Sequence, residues 1–258
     1  MNAFRRCWTV AGLLGLVIAT LGARASGEII KVVSPSSAKN SEGNSSGTPN
    51  AGAPGRVQFL YLASEFAQLP ATHRHIVAFN YRADGNSNQP NNWTFPDVEV
   101  WMSTTSRTTL SSVFADNHGP NKTKVHDGSL TFPILATPPA EGPKDFADGQ
   151  LLDAPFFYDP SQGNLLIEEA YVVSGPNFPS PTIDTQSGVS GRFLATTVGL
   201  PNSTSGTLVN SFPVFQLEFV PEPSTFVLAG AGFALVGLLA CRSKIGGRRR
   251  AMRRDCVD

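Results

Sequence analysis

Between Val57 and Val220 the chain has almost no stretch of helical period. It has instead a series of short runs in which apolar side chains alternate or cluster, separated by Asp84-Gly85, Asp127-Gly128, Asp148-Gly149 and Gln162-Gly163-Asn164. A strand sends successive side chains to opposite faces. His75 to Arg82 therefore places Ile76, Ala78, Asn80 and Arg82 on one face and His75, Val77, Phe79 and Tyr81 on the other. Val98, Val100 and Met102 share an apolar face, and Val214, Gln216 and Glu218 oppose Phe215, Leu217 and Phe219. Further strands are expected at Val57 to Leu62, Leu130 to Ile134, Leu165 to Val173 and Phe193 to Val198. Many short strands joined by Gly- and Pro-rich turns predict an all-β domain over 57–219, an antiparallel β-sandwich of jelly-roll-like kind. The one helix candidate, Ser106 to Asn117, is weakened by its β-branched and Ser content. Residues 26–56 are expected to be a flexible polar leader, because Ser34 to Gly55 is rich in Ser, Asn, Gly and Pro and nearly lacks apolar residues.

Both ends read as membrane-directed segments. Arg5 and Arg6 precede an apolar run from Trp8 to Leu21, and Ala23-Arg24-Ala25 is an A-x-A site. That order predicts a signal peptide over 1–25, handled by the Sec export machinery and signal peptidase, with Ser26 as the mature start. At the other end, Phe226 to Cys241 is an uncharged apolar run of 16 residues. As a helix it spans roughly 24 Å, against a hydrocarbon core of about 30 Å. It is thus short for a permanent anchor, although its Gly residues are tolerated in membrane helices. Arg242, Lys244, Arg248, Arg249, Arg250, Arg253 and Arg254 follow it. Seven cations stop the segment and keep residues 242–258 cytoplasmic, with the long N-terminal part outside. A buried core helix is rarely followed by such a tail.

Pro221-Glu222-Pro223, the apolar helix at 226–241 and the terminal Arg cluster together resemble the PEP-CTERM sorting signal of Gram-negative bacteria, here over 220–258 with its motif at 220–225. The resemblance implies an exosortase-type membrane enzyme as partner, one that recognises Pro221-Glu222-Pro223 and removes the helix and tail. It further implies transient anchoring in the inner membrane, then a cell-surface or extracellular place linked to exopolysaccharide and biofilm. Two prolines keep the motif extended and block helix formation, which suits recognition as a strand. Gly246-Gly247 interrupts the basic run, and Asp255 to Asp258 extends beyond it. A second resemblance, to uncharacterised exported proteins with that signal, rests on Ala63-Ser-Glu-Phe66, Leu110 to Asn117 and Pro155 to Leu166. The last contains an F-x-Y-x-P-x-x-G-N-L-L stretch. Pro160 and Gly163 make it a tight turn leading into a strand, a fold signature rather than a site.

The net charge of zero conceals an uneven distribution. Residues 26–220 hold ten basic and seventeen acidic residues, a net −7. An acidic surface excludes nucleic acid as a partner. Cys7, Cys241 and Cys256 all lie in segments expected to be removed. The exported domain is therefore expected to lack disulfides, thiolate nucleophiles and Cys metal ligands.

Candidates for chemistry are few. His73 and His75 could share a strand face as a metal or acid–base pair, but two histidines make an incomplete site, and a solvated surface pair is the plainer reading. His126-Asp127 could set an imidazole on a carboxylate; with Gly128 it reads more simply as a polar turn. Asp84, Asn86 and Asn88 space oxygen ligands as calcium loops do, yet Phe95 occupies the twelfth position, so the alternatives are calcium held in a sandwich loop and a solvated hairpin loop. Glu168 and Glu169 are adjacent, so a strand sends them to opposite faces, unlike a glycosidase pair. Trp93, Trp101 and Tyr61 would make either a sugar-stacking platform or core. Ser190 stands outside any G-x-S-x-G setting. The expected function is a non-enzymatic exported surface or matrix protein without catalytic residues or cofactor. The alternatives are a carbohydrate- or calcium-binding module and a permanently anchored single-span surface protein.

Overall fold

The computed structural model describes residues 28–47, 54–85, 92–133, 142–172, 182–195 and 200–222. The expected signal peptide with Ala23 and Ala25, Asn86 and Asn88, Pro223, the apolar run 226–241 and the basic tail lie outside the described residues. Among the described residues no helix is long and apolar enough to cross a membrane.

Thirteen strands are described, and every named pairing among them is antiparallel. Strands β1 (Ile30–Ser34), β13 (Phe215–Pro221), β4 (His73–Tyr81) and β7 (Gln150–Phe157) form a four-stranded sheet in that order. A six-stranded sheet runs β11 (Thr207–Val209), β10 (Phe193–Ala195), β3 (Gly55–Tyr61), β8 (Asn164–Tyr171), β5 (Trp93–Thr105), β6 (Thr123–Phe132). A small third sheet holds β12 (Ser211–Pro213), β9 (Ile183–Ser187) and β2 (Ser45–Gly47). The inner faces of the two large sheets share one buried apolar cluster, so the architecture is β-sandwich-like.

That core is aromatic. Phe59 stacks on Phe193 at 4.9 Å, Phe79 on Phe215 at 5.1 Å, and Tyr81 and Phe132 meet edge-on at 4.9 Å. Such pairs add about 0.5–1.5 kcal/mol each beyond the area they bury. Large rings bury much apolar surface per ordered residue, and they hold the two sheets together where no cysteine is at hand. Val98, Val100 and Met102 of β5 and Phe215, Leu217 and Phe219 of β13 all enter this core, as their alternation predicts. Trp93 and Tyr61 are buried in it too and cannot form a sugar platform.

The alternation expected of β4 fails at one point. Ile76 is in the core, but so are Phe79 and Tyr81, which should face the other way. A register shift between Ile76 and Ala78 against β7, and another against β13, absorb the extra residue. Similarly, β5 carries Pro96 in its first half, where its described partner is β6 and pairing with β8 has not begun. The register shift between Phe95 and Val98 puts the proline in a bulge, where its missing N–H breaks no ladder bond.

Three local expectations change. Residues 26–56 are not a free leader where described: Ile30–Ser34 pairs with β13, Ser45–Gly47 pairs with β9, and Val33 and Ala38 are buried. The cause is Arg82. Its guanidinium, paired with buried Asp184, donates to the carbonyls of Ala38 at 2.8 Å and Ser41 at 2.7 Å, satisfying a polar backbone that composition alone leaves to water. Ser106 to Asn117 forms only a 3-10 turn at Phe114–Asn117. Asp127-Gly128 is not a hairpin turn but lies within β6, paired in register with Glu99 and Val98 beside the β5 bulge, with Gly128 at φ +135°.

Where β6 and β7 meet at a corner of the sandwich, side chains of one satisfy the open edge of the other. Asp127 N–H donates to Asp153 Oδ2 at 2.9 Å and Thr131 N–H to Gln150 Oε1 at 3.1 Å. An edge finished in this way is a poor template for another strand.

Candidate functional site

Two adjacent glutamates organise opposite faces of β8. Glu169 points into the core, where the Tyr81 hydroxyl donates to its oxygens at 2.8 and 2.7 Å and the Tyr171 hydroxyl donates to Oε2. Burial pushes its carboxyl up to about 7, against the lowering effect of the Tyr171 and Tyr81 hydrogen bonds. Glu168 points outward and is nevertheless buried. Pairing sets Gln58 of β3 on one side of it and Trp101 of β5 on the other. Arg56 donates to Oε1 at 2.7 Å, Lys122 reaches the same oxygen at 3.3 Å, and His118 Nε2 lies 2.9 Å from Oε2, which also accepts from Gln58. Burial alone would raise this carboxyl. The hydrogen bonds from His118 and Arg56, with their charge, outweigh it and hold Glu168 at about 2.

The hub extends into a relay. Glu168 is an acceptor only, so His118 Nε2 carries the proton of their bond, and His118 Nδ1 lies 3.0 Å from Ser103 Oγ. Carboxylate, imidazole and hydroxyl in series form the chemistry of an activated serine. Yet Ser103 is fully buried, and Gly119 lies across it: the Gly119 N–H points to Ser103 Oγ at 3.4 Å, and a Cβ on Gly119 would collide with the Thr104 carbonyl oxygen. The relay therefore works as a clasp. Together with Asn117, which donates to Gln58 Oε1 at 2.8 Å and to the carbonyls of Ser111 and Val113, it fastens residues 106–121 to the outside of the six-stranded sheet over Leu60 and Leu166. Gly119→Ala is expected to destabilise the fold by about 2 kcal/mol, read as a lower urea midpoint with unchanged slope; an unchanged midpoint would show that this backbone contact is looser than described.

Beside the clasp lies a cleft of about 500 Å3. Thr104 and Thr105 line it at the end of β5, and the two loops that flank it press glycine backbone against those residues. Gly119 is one. Gly163 is the other, at φ +143°, where a Cβ would lie 2.6 Å from the Thr105 carbonyl oxygen. The turn 155–166 builds the second wall. Phe156 and Tyr158 point inward, and the Tyr158 hydroxyl donates to the Gly163 carbonyl at 3.0 Å. Phe157 and Asp159, offset by one, point out, and with Gln162 they line the cleft. Asn164 ties the wall down: its Oδ1 accepts from Ala63 N–H at 2.7 Å and its Nδ2 donates to the Arg107 carbonyl at 2.6 Å. Phe66 meets Tyr158 edge-on at 5.1 Å. Thus 63–66 and the loop that runs into 110–117 both dock on the 155–166 turn.

The other sequence candidates lie apart. His73 Nε2 meets the Glu28 carbonyl at 2.9 Å and Nδ1 the Thr72 hydroxyl at 3.0 Å, whereas His75 packs on Phe157 at 5.4 Å. They take different partners and are half-buried rather than solvated. His126 is near a carboxylate, but that of Asp153 on β7 at 3.2 Å; Asp127 pairs with Lys124 instead. Asp84 is nearly buried, its N–H bound to the Thr182 carbonyl. Among the described residues no group of three or more His, Cys, Asp or Glu is placed to hold a metal. Trp101, unlike Trp93 and Tyr61, lies on the outer face, with Lys122 at 4.7 Å and Lys124 at 5.0 Å from its ring centre. No protein-family model matches the chain, and no curated protein matches it.

Ser103, His118, Arg56 and Gln58 carry no local sequence signal that marks them as a site. Arg56 and Glu168 are 112 positions apart, and nothing in local spacing brings them together. The one available signal was Glu168 itself, a charged residue on the face of a strand flanked by apolar residues.

Proposed function

We propose that the chain is a non-enzymatic exported protein of the cell surface or extracellular matrix. It is directed there by the signal peptide at 1–25 and by the C-terminal sorting signal, which an exosortase-type enzyme processes at Pro221-Glu222-Pro223. The observation that carries this reading is the position of the motif against the fold. Pro221 is the last residue of β13, still paired with His73, Glu222 is exposed, and the compact unit ends at Pro221. A motif inside the sheet would be closed to an enzyme; one at the point where the sheet releases the chain is open to it. The sealed Ser103 supports a non-catalytic role, since a nucleophile must reach its substrate. The sandwich is jelly-roll-like in this reading. Successive strands cross from one large sheet to the other at β3 to β4, β4 to β5, β6 to β7 and β7 to β8.

Replacing Glu222 and Pro223 with alanine tests the reading. Both positions follow Pro221, the last residue of β13, so the domain is expected to fold, and the full-length chain is expected to accumulate in the membrane fraction of a host with the processing enzyme. Normal release of a shortened chain by the double variant would overturn it.

A further inference from the structure

The cleft between residues 104–121 and the 157–162 turn shares His118 and Gly119 with the clasp, but the rest of its lining is used neither by the clasp nor by the sorting signal. Its lining is mixed in a specific way. Phe157 is an aromatic side chain left 49 % exposed, held against His75. Around it stand Arg107, Asp116, Asn121, Asp159 and Gln162, all with planar polar groups. Several of these are fixed in place. Asn121 accepts from Thr104 N–H at 2.7 Å and donates to the Thr104 hydroxyl at 3.1 Å; Asp159 accepts from the Ser161 N–H at 3.0 Å and the Ser161 hydroxyl at 2.9 Å. Arg107 Nε donates to the Asp116 carbonyl at 3.1 Å, and among the described residues that is the one side-chain bond its guanidinium makes. Asp116 touches the Ser111 hydroxyl at 3.5 Å. A site built from held side chains has lost less freedom still to be lost on binding.

From this geometry we infer that the cleft binds a short stretch of neutral polysaccharide. The inference rests on the reading of the chain as an exported surface or matrix protein and assigns it a ligand. A pyranose ring has an apolar C–H face and a rim of hydroxyls. Phe157 suits the face. Carboxylate, amide and guanidinium planes suit adjacent hydroxyls, each of which both donates and accepts. Charge argues for a neutral polymer: an acidic one would meet Asp116 and Asp159, and a cationic one Arg107. The cleft is half open to solvent, which leaves a bound chain room to extend beyond it. A peptide would find only two apolar side chains, Phe157 and Pro120, among a lining that is otherwise polar apart from glycine.

Native gel electrophoresis of the full chain in mild detergent tests this, with mixed-linkage β-glucan, hydroxyethylcellulose, galactomannan or dextran cast in the gel and alginate as the acidic control. At least one neutral polymer is expected to retard the protein and alginate is not. Phe157→Ala and Arg107→Ala are each expected to weaken retardation about tenfold. Both side chains are exposed, so the thermal midpoint should not move, and Leu151→Ala, an exposed apolar change in β7 outside the cleft lining, should leave binding intact. No retardation by any neutral polymer, retardation by alginate alone, or full retention by Phe157→Ala overturns the inference. None of those results touches the export reading, which fails separately if the chain is recovered uncut from the cytosol.

Discussion

Glu168→Ala is expected to destabilise the β domain by about 1–3 kcal/mol, the cost of leaving the buried Gln58 and His118 groups and the half-buried Arg56 and Lys122 cations without their common acceptor. Glu168 is one residue, but Arg56, Lys122, His118 and Gln58 all close on it. Its removal leaves the outer face of the six-stranded sheet with cationic groups gathered around an empty position. The loss should be local before it is global. Residues 106–121 are held by this hub and by the Asn117 amide, over a small apolar patch of Leu60, Leu110, Phe114 and Leu166. Trypsin should therefore cut at Arg107 in the variant under conditions where the parent resists. A loss under 1 kcal/mol with no new cleavage would mean that the carboxylate is a bystander. The loss should be largest above pH 4.5. Glu168 is held at about 2 against an ordinary 4.5, so its stabilisation is complete above the higher value and fades as pH falls through the lower one.

Its neighbour predicts the opposite slope. Glu169 is raised from 4.5 to about 7, first by burial. The native state thus holds this proton more tightly than the unfolded chain does. The stabilisation is complete below pH 4.5 and is lost as pH rises through 7, and the difference corresponds to about 3 kcal/mol. Taken together, the two residues place their joint optimum near pH 4.5, where one is ionised and the other protonated. Glu169→Gln keeps the shape and removes the titration. Denaturant unfolding at intervals from pH 4 to 8 should show the parent losing stability toward neutral pH and the variant losing much less. Parallel profiles would show that Glu169 does not titrate in this range.

The opposite fates of these two carboxyls follow from one legible fact, that neighbours on a strand face apart. The same rule placed Val98, Val100 and Met102, and Phe215, Leu217 and Phe219, in the core. It went astray in β4, where a register shift between Ile76 and Ala78 reverses the faces, because a bulge depends on the partner strands and leaves no mark in the run itself. The polar segment before Gly55 looked unstructured for a related reason. Its order comes from Arg82 and Asp184, which lie 102 positions apart. The tight turn at Tyr158 to Gly163 was readable from Pro160 and Gly163, but that Phe157, Asp159 and Gln162 stand on the rim of a cleft was not. That depends on Thr104, Asp116 and Asn121 arriving from elsewhere in the chain.

We propose that both ends are handles and that the β-sandwich-like domain between them is what remains outside. Intact-mass measurement of the chain recovered from the cell exterior tests it most directly. The mass should correspond to a chain beginning at Ser26 and ending near Pro221-Glu222-Pro223, without the three cysteines. A mass matching residues 1–258, from protein soluble in the cytosol, would contradict the account.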